Sequence, residues 1–206
     1  MEEVRSEKGA SVQATAPLTE DATVRHVIDS RAGTLVVQAF ATGLLSAFAH
    51  SPKIAVRNFE GNVDLAAGAT PLAGARMCLR IQADSLEVIE EMSGKDREEI
   101  HRRMREEVFD VDSFPEIVYQ CSKVTASGAG DRYWVALQGE LTLRGITRPV
   151  PVSAKVSLNG NSLRASGEFA LRQSDFQIPP VTAAAGTIRV KDEVKCTFDI
   201  VARRQE

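Results

Sequence analysis

Apolar and polar residues alternate one by one through two neighbouring runs in the C-terminal half of the chain. The apolar positions of these runs are Leu141, Leu143, Val150, Val152, Ala154, Val156 and Leu158. Successive side chains of a strand point to opposite faces, so each run predicts a strand with one apolar and one polar face. The break between them, Arg144–Pro149, contains Gly145 with its free backbone torsion. The pattern predicts an antiparallel hairpin with a short loop.

The same alternation recurs along most of the chain and predicts about eight or nine strands. Besides the hairpin, these strands are expected at Val24–Ile28, Thr34–Phe40, Ala75–Ile81, Glu116–Val124, Ser162–Leu171 and Ile188–Ala202, and in Ile54–Phe59 with Gly61–Leu65, where a bulge or bend is expected at Gly61. Most of them have a single apolar face, which an antiparallel sheet buries against a second sheet or by closing into a barrel. A closed barrel of eight strands leaves room for interior side chains or for one small ligand.

Two segments change to a helical period. The larger, residues 84–109, begins with the cap-type residues Asp84 and Ser85, and a helix from about Asp96 to Val108 has an apolar stripe in steps of four residues. The smaller lies between Thr42 and Pro52. The polar, acidic residues 1–23 show no periodicity, so we expect a disordered tail there and a single domain over residues 24–203.

Composition excludes several classes of function. The 206 residues carry a formal net charge of -3, and only 5% are aromatic, so neither a basic field nor base stacking favours nucleic-acid binding. No apolar run reaches the roughly 18–20 residues of a membrane span. Three dispersed cysteines and three histidines predict neither a disulfide framework nor a metal site. We therefore expect no metal, no cofactor and no integral membrane segment.

The first 21 residues contain five acidic side chains and no apolar core of a secretory signal, which leads us to expect a cytoplasmic protein. Free cysteines suit a reducing compartment. The sequence leaves a homodimer open, through an exposed strand edge or the Leu44–Phe48 segment.

Several phrases, taken in order from residue 24 to 202, resemble the YceI-like family of lipocalin-like barrel proteins. In the first half they are Ile28-Asp29-Ser30, Phe59-Glu60-Gly61 and Arg97. The more specific ones are Phe109-Asp110-Val111 followed by Phe114-Pro115-Glu116-Ile117, and the hairpin from Gly139 to Val150. The last are Ser174-Asp175-Phe176 and Val190-Lys191-Asp192-Glu193-Val194.

This resemblance implies a mainly β protein, an eight-stranded antiparallel lipocalin-like barrel with a helical insertion around 84–109. It implies an apolar tunnel that binds a long-chain isoprenoid or fatty amphiphile, such as a polyisoprenoid or an isoprenoid quinone, and no catalytic apparatus. Members of the family are bacterial and often exported to the periplasm. The chain departs from the family in Thr34–Ser51, which lacks the usual His-Ser start.

The inward positions of the predicted strands give the candidate ligand-binding residues. Those expected along the tunnel are Leu35, Val37, Leu137, Leu141, Val152, Val156, Phe169 and Phe198. Those expected near its mouth are Phe40, Leu44, Leu45, Phe48 and Phe176. The small residues Gly139, Ala154, Ala165 and Gly167 are expected to leave free volume inside.

Two other readings stay open. A barrel filled by its own side chains would make the protein a structural or interaction module. An enzyme would need a partner for His50-Ser51 or Ser174-Asp175, and order along the chain identifies none; such residues more often form turns and caps.

Overall fold

The computed structural model describes residues 23–42, 51–66, 72, 74–183 and 188–205. The predicted disordered tail therefore lies outside the described residues except for Thr23, which begins the first strand. The short helix predicted between Thr42 and Pro52 also lies outside them, apart from its flanking residues.

The described part of the chain is mainly β. Its strands are β1 (Thr23–Ile28), β2 (Thr34–Gln38), β3 (Ala41–Thr42), β4 (Lys53–Val56), β5 (Phe59–Ala66), β6 (Arg76–Gln82), β7 (Leu86–Val88), β8 (Glu116–Ala129), β9 (Arg132–Leu143), β10 (Ile146–Asn159), β11 (Ser162–Arg172), β12 (Thr182–Ala183), β13 (Ile188–Val190) and β14 (Glu193–Arg204). One α-helix, α1 (Gly94–Arg103), interrupts the described strands.

Eight of these strands close into an antiparallel barrel. They pair in the order β1, β5, β6, β8, β9, β10, β11 and β14, and β14 pairs back to β1. The register of this closure places Ile28 opposite Ala202. The predicted eight-stranded antiparallel barrel is thus confirmed.

At one end the wall continues beyond this ring. The first half of β14 pairs with β2, β2 pairs with β4, and β4 pairs with β7. This end also carries α1, the turn between β9 and β10, and a small sheet of β12, β13 and β3. We call it the helix end of the barrel. The strand β7 comes last in the pairing order, so no described strand covers its second edge.

Side chains of α1 cover that edge instead. The Val88 N–H donates to Nε2 of His101 at 3.1 Å, and the Arg97 guanidinium donates to the carbonyls of Val88 and, at 2.8 Å, of Glu90. Unpaired backbone groups away from water are costly, so these contacts stabilise both the strand and the position of the helix. At its start, the Ser93 side chain accepts from the Asp96 N–H.

The helical prediction for residues 84–109 is partly wrong. Asp84 and Ser85 belong to a 3-10 turn, and the next residues form β7, where Leu86 and Val88 are buried on the same side. Pairing with β4 overrides a local pattern too short to distinguish the two periods. The second helix is present as α1 followed by a π-helical turn, Met104–Phe109.

The hairpin is confirmed, with a tighter loop than expected. Arg144 and Gly145 form a two-residue turn with φ of 52° and 70°. Such paired positive φ values match the twist of the strands they join. The strand β10 therefore begins at Ile146 and includes Pro149 and Pro151.

Pro149 and Pro151 lie in the part of β10 that is not paired with β11. Within the fully described strands β10 and β11, the ladder runs from Lys155 to Asn159 and does not extend to the residues before Lys155. Pairing of β10 with β9 continues through both prolines. Because proline has no N–H to donate, these two residues limit the pairing of β10 with β11.

Two further expectations need correction. Gly61 lies in β5 without a bulge, and an added Cβ would come 2.1 Å from the Cys78 carbonyl oxygen, so the residue allows close strand approach. The irregularity lies in β8, between Cys121 and Lys123. The strand expected over Ile188–Ala202 is divided into β13 and β14.

We expect Arg97→Met to lower the free energy of unfolding by about 1–3 kcal/mol, because it leaves the Val88 and Glu90 carbonyls without their donor. Arg102→Met is the matched control on the same helix, since Arg102 makes exposed ion pairs with Glu99 and Glu106, and it should change stability by less than about 1 kcal/mol. Urea unfolding of both variants measures the difference. Equal effects would show that the Arg97 contacts do not anchor the helix.

Candidate ligand-binding cavity

The barrel encloses a cavity of about 890 Å³. Ligand pockets in proteins typically measure about 300–1,000 Å³, so this one is large enough for a ligand of considerable size. Its wall consists of the inward faces of the alternating strands, together with one side of the helical segment. Aliphatic and aromatic side chains dominate it, and this composition suits an apolar occupant.

Ten of the thirteen candidate residues lie on the cavity wall. They are Leu35, Val37, Phe40, Leu137, Leu141, Val152, Val156, Phe169, Phe176 and Phe198. The other three, Leu44, Leu45 and Phe48, lie outside the described residues. The structure thus brings the ten together around one space, and their contact with a ligand stays a prediction.

Other wall residues were not among the candidates, although the same patterns contain them. They are Val63, Met77, Leu79, Ile81, Ile100, Met104, Val108, Ile117, Tyr119 and Val190, among others. Those from β6 share the alternation used for the other strands, and those from the helical segment form the predicted stripe in steps of four. The sequence pattern does not show that the helix and the sheet face the same interior, because that arrangement depends on tertiary structure.

Polar side chains along the wall are concentrated at the helix end. Those at this end are Glu91, Ser93, Asp96, Glu99, Arg103, Arg172 and Gln173, while Arg76, Tyr119 and Thr197 are further polar residues of the wall. The Arg103 side chain pairs with Glu107 at 3.0 Å and donates to the Thr182 carbonyl at 2.7 Å. Polar contacts thus join the helix to the small sheet beside the cavity.

The interior part of the wall has two ionisable groups of note, and burial keeps both protonated. The Tyr119 hydroxyl donates to the Val150 carbonyl at 3.2 Å, and burial raises the pKa of this phenol. Burial also raises the pKa of the Cys196 thiol to about 12. Both side chains are uncharged at neutral pH, which preserves the apolar character of the interior.

Two of the four small residues do not leave free volume. A Cβ at Gly139 would lie 2.4 Å from the Tyr119 ring, and one at Gly167 would lie 2.8 Å from the Phe198 ring. Aromatic side chains already occupy the space above both glycines, so this part of the expectation is wrong. Ala154 and Ala165, in contrast, line the cavity.

The residues considered for catalysis are not assembled by the described structure. The Ser174 hydroxyl donates to Asp192 at 2.7 Å and its N–H donates to the same carboxylate, a turn-forming arrangement. His50 lies outside the described residues.

Over the described ranges, no three His, Cys, Asp or Glu side chains converge in a way suited to a metal ion. Where helices are described, none has both the length and the apolar character to cross a bilayer.

An eight-stranded antiparallel barrel around an apolar cavity is the architecture of the lipocalin-like barrels, whose interiors either are filled by side chains or hold one small ligand. Within that class, the chain matches the model of the YceI-like domain over residues 27–202, so it belongs to the YceI-like family. A search of curated proteins found no match.

Solved structures share the fold at low sequence identity. BcnA from Burkholderia cenocepacia superposes with a TM-score of 0.63 at 18% identity, over 84% of this chain and 98% of that one. A polyisoprenoid-binding domain from Saccharophagus degradans gives 0.64 at 13% identity, over 87% and 98%. The YceI protein of Campylobacter jejuni gives 0.57 at 13% identity, over 77% and 88%.

We expect Gly139→Ala to destabilise the barrel by about 1–3 kcal/mol, because the added methyl group overlaps the Tyr119 ring and the Gln120 carbonyl. Gly94→Ala is the control, since no atom lies within 4 Å of its Cβ position at the start of α1. Chemical unfolding of both variants, with Tyr119→Leu and the Tyr119→Leu/Gly139→Ala double variant, measures the coupling. Additive effects of the two changes would contradict the proposed overlap.

Stability should also fall at alkaline pH through Cys196. An unfolded thiol ionises near pH ~8.5, whereas the folded pKa is about 12, so the unfolded state releases its proton first as the pH rises. The contribution is present below pH ~8.5 and is lost progressively above it. Cys196→Ala should therefore show a shallower loss of unfolding free energy from pH ~8.5 to ~10.5. Cys78→Ala, on the outer face of β6, is the control, and identical slopes for all three proteins would contradict the assignment.

Proposed function

We propose that the protein binds a long-chain amphiphile of the polyisoprenoid or isoprenoid-quinone type in the barrel cavity, and carries or sequesters it. The observation that supports this most directly is the apolar cavity of about 890 Å³, lined from β2 to β14 and by the helical segment. The proposal assigns no bond-making or bond-breaking step to the protein.

The energetics of burial favour a long chain over a short one. Each CH₂ group moved from water into an apolar site contributes about 0.8 kcal/mol. Association itself costs roughly 4–15 kcal/mol in lost motional freedom. A tail of about ten carbons therefore only offsets that cost, whereas an isoprenoid chain of about twenty carbons exceeds it.

The relatives support the same choice of ligand. The family is that of YceI-like proteins, and one structural neighbour is a polyisoprenoid-binding domain. At 13% identity that neighbour shows a common fold, so its ligand enters here as a hypothesis for this chain. The enclosed apolar wall of this chain is the physical reason to consider the same kind of ligand.

The main alternative is a filled barrel that acts as a structural or interaction module. A filled barrel would place side chains across the axis, as large aromatic residues do, but the inward positions leave a connected volume. Close packing is the rule in protein interiors, so a void of this size is more consistent with a binding role.

Protein purified without detergent should carry a co-purifying lipid. Native mass spectrometry should show a mass added to that of the chain, and organic extraction should release a molecule with a long hydrocarbon tail. If the protein is free of lipid and also fails to take up added geranylgeraniol or a longer polyprenol, the proposed function is wrong.

We expect Ala165→Phe to reduce the affinity for a long-chain ligand by about tenfold or more, because the ring enters the cavity and removes volume for roughly two or more CH₂ groups. Ala136→Phe is the matched control, since Ala136 is an exposed strand residue of β9 that does not line the cavity. Binding is measured by titration with the same polyprenol, and thermal melting confirms that both variants fold. Equal affinities of the two variants would place the ligand elsewhere.

A further inference from the structure

We propose that the ligand enters and leaves the cavity sideways, between β10 and β11, and that the 3-10 turn Gln173–Phe176 is the gate of this passage. The inference rests on the proposed function and adds the route by which a long chain reaches the interior. It follows from an interruption in the backbone pairing of the barrel wall and from the way in which the turn covers that interruption.

The barrel wall has an unpaired stretch where β10 and β11 stop bonding to each other. Their ladder ends, toward the helix end, at the pair Lys155 and Ser166. Beyond that pair, β10 continues its ladder with β9, and β11 continues its ladder with β14. The facing edges, residues 146–154 of β10 and 167–172 of β11, form no ladder, and we call the space between them the gap.

The sequence of β10 keeps a ladder from closing the gap. Pro149 and Pro151 both lie in this part of the strand, and neither has an N–H to donate. Moving the two edges apart therefore breaks no ladder, whereas separating paired strands elsewhere in the ring would break a row of backbone hydrogen bonds. The gap is thus the part of the β10–β11 wall that opens at least cost.

The gap leads directly to the cavity. Apolar side chains on both of its edges line the interior, namely Val150 and Val152 from β10 and Phe169 and Leu171 from β11. The two residues of β10 are buried, but those of β11 are only half-buried, so apolar surface along this edge reaches the exterior. A hydrocarbon chain that passes here stays in contact with apolar groups along its path.

The turn Gln173–Phe176 covers the gap. It follows β11 directly and packs against β10, where Nε of Arg148 donates to the Asp175 carbonyl at 3.2 Å. Its last residue, Phe176, is only 2% exposed and lines the cavity. The Phe176 ring therefore stands in the path of a chain that enters between the two strands.

The turn is held much more firmly on one side than on the other. Toward β14, the Gln173 N–H donates to the Asp192 carbonyl at 2.9 Å, and its side-chain amide donates to the Lys191 carbonyl at 2.8 Å. The Ser174 hydroxyl and N–H both donate to the Asp192 carboxylate at 2.7 Å. Toward β10, the bond from the exposed Arg148 is the one hydrogen bond within the described residues. The turn can thus move away from β10 while it stays attached beside β14.

The first test closes the gate covalently. In a Cys78→Ala background, whose other two cysteines are buried, Arg148→Cys and Asp175→Cys are joined by bismaleimidoethane. We expect this bridge to slow the release of preloaded geranylgeraniol into excess phosphatidylcholine vesicles by about tenfold or more, because a tethered lid cannot open. Before bridging, the same double variant should release the ligand faster than its parent, since it lacks the Arg148 contact.

The matched control bridges the paired part of the same two strands, through Lys155→Cys and Ser166→Cys. This bridge spans a ladder that stays closed during passage, so release should change by less than about twofold. Equal release rates from the two bridged proteins would overturn the sideways route. Failure of the unbridged proteins to bind geranylgeraniol would instead overturn the proposed function.

The second test loosens the gate without altering the cavity wall. Arg148→Met removes the bond to the Asp175 carbonyl, and Arg148 does not line the cavity. Stopped-flow mixing should show severalfold faster uptake and release, with an unchanged affinity by titration, because a gate changes the barrier and not the end states. Arg164→Met is the control, since Arg164 is an exposed residue of β11 paired with Asp199 outside the gap. Unchanged rates, or weaker affinity without faster exchange, would refute the role given to the turn.

Discussion

The barrel depends on the pairing of β14 along both of its edges. On one edge this twelve-residue strand forms a continuous ladder with β11, and on the other it pairs first with β2 and then with β1. Backbone groups that leave water must find partners, so closure of the sheet satisfies the donors and acceptors that an open edge would expose. The cavity exists because these three ladders hold the first and last strands together.

Where backbone pairing between strands ends, side chains supply the hydrogen bonds. His101 and Arg97 bond the free edge of β7, and the Arg144 guanidinium donates to the Glu107 carbonyl at 2.9 Å, which joins the hairpin turn to the end of the helical segment. The helix is thus part of the wall and contributes Ile100 and Met104 to the cavity lining. The helical segment therefore helps to enclose the cavity as well as to cover the edge of β7.

Glycine positions show how the interior divides into packed and open regions. The rings of Tyr119 and Phe198 lie over Gly139 and Gly167, and these contacts hold neighbouring strands in close register. Elsewhere the wall is mostly aliphatic and leaves a connected volume of about 890 Å³. The YceI-like family thus includes a chain whose apolar space is bounded by local aromatic–glycine contacts.

The sequence by itself determined the strand faces, because a period of two is a local property that needs no knowledge of neighbours. It therefore predicted the hairpin and ten described wall residues from Leu35 to Phe198, whereas the eight-stranded barrel was implied by the resemblance to the YceI-like family. The short stretch Leu86–Val88 was misassigned, since three residues do not distinguish a helix from a strand until β4 pairs with them. Only the tertiary structure decided which glycines are covered and that the helix faces the cavity, because each depends on contacts between residues far apart in the chain.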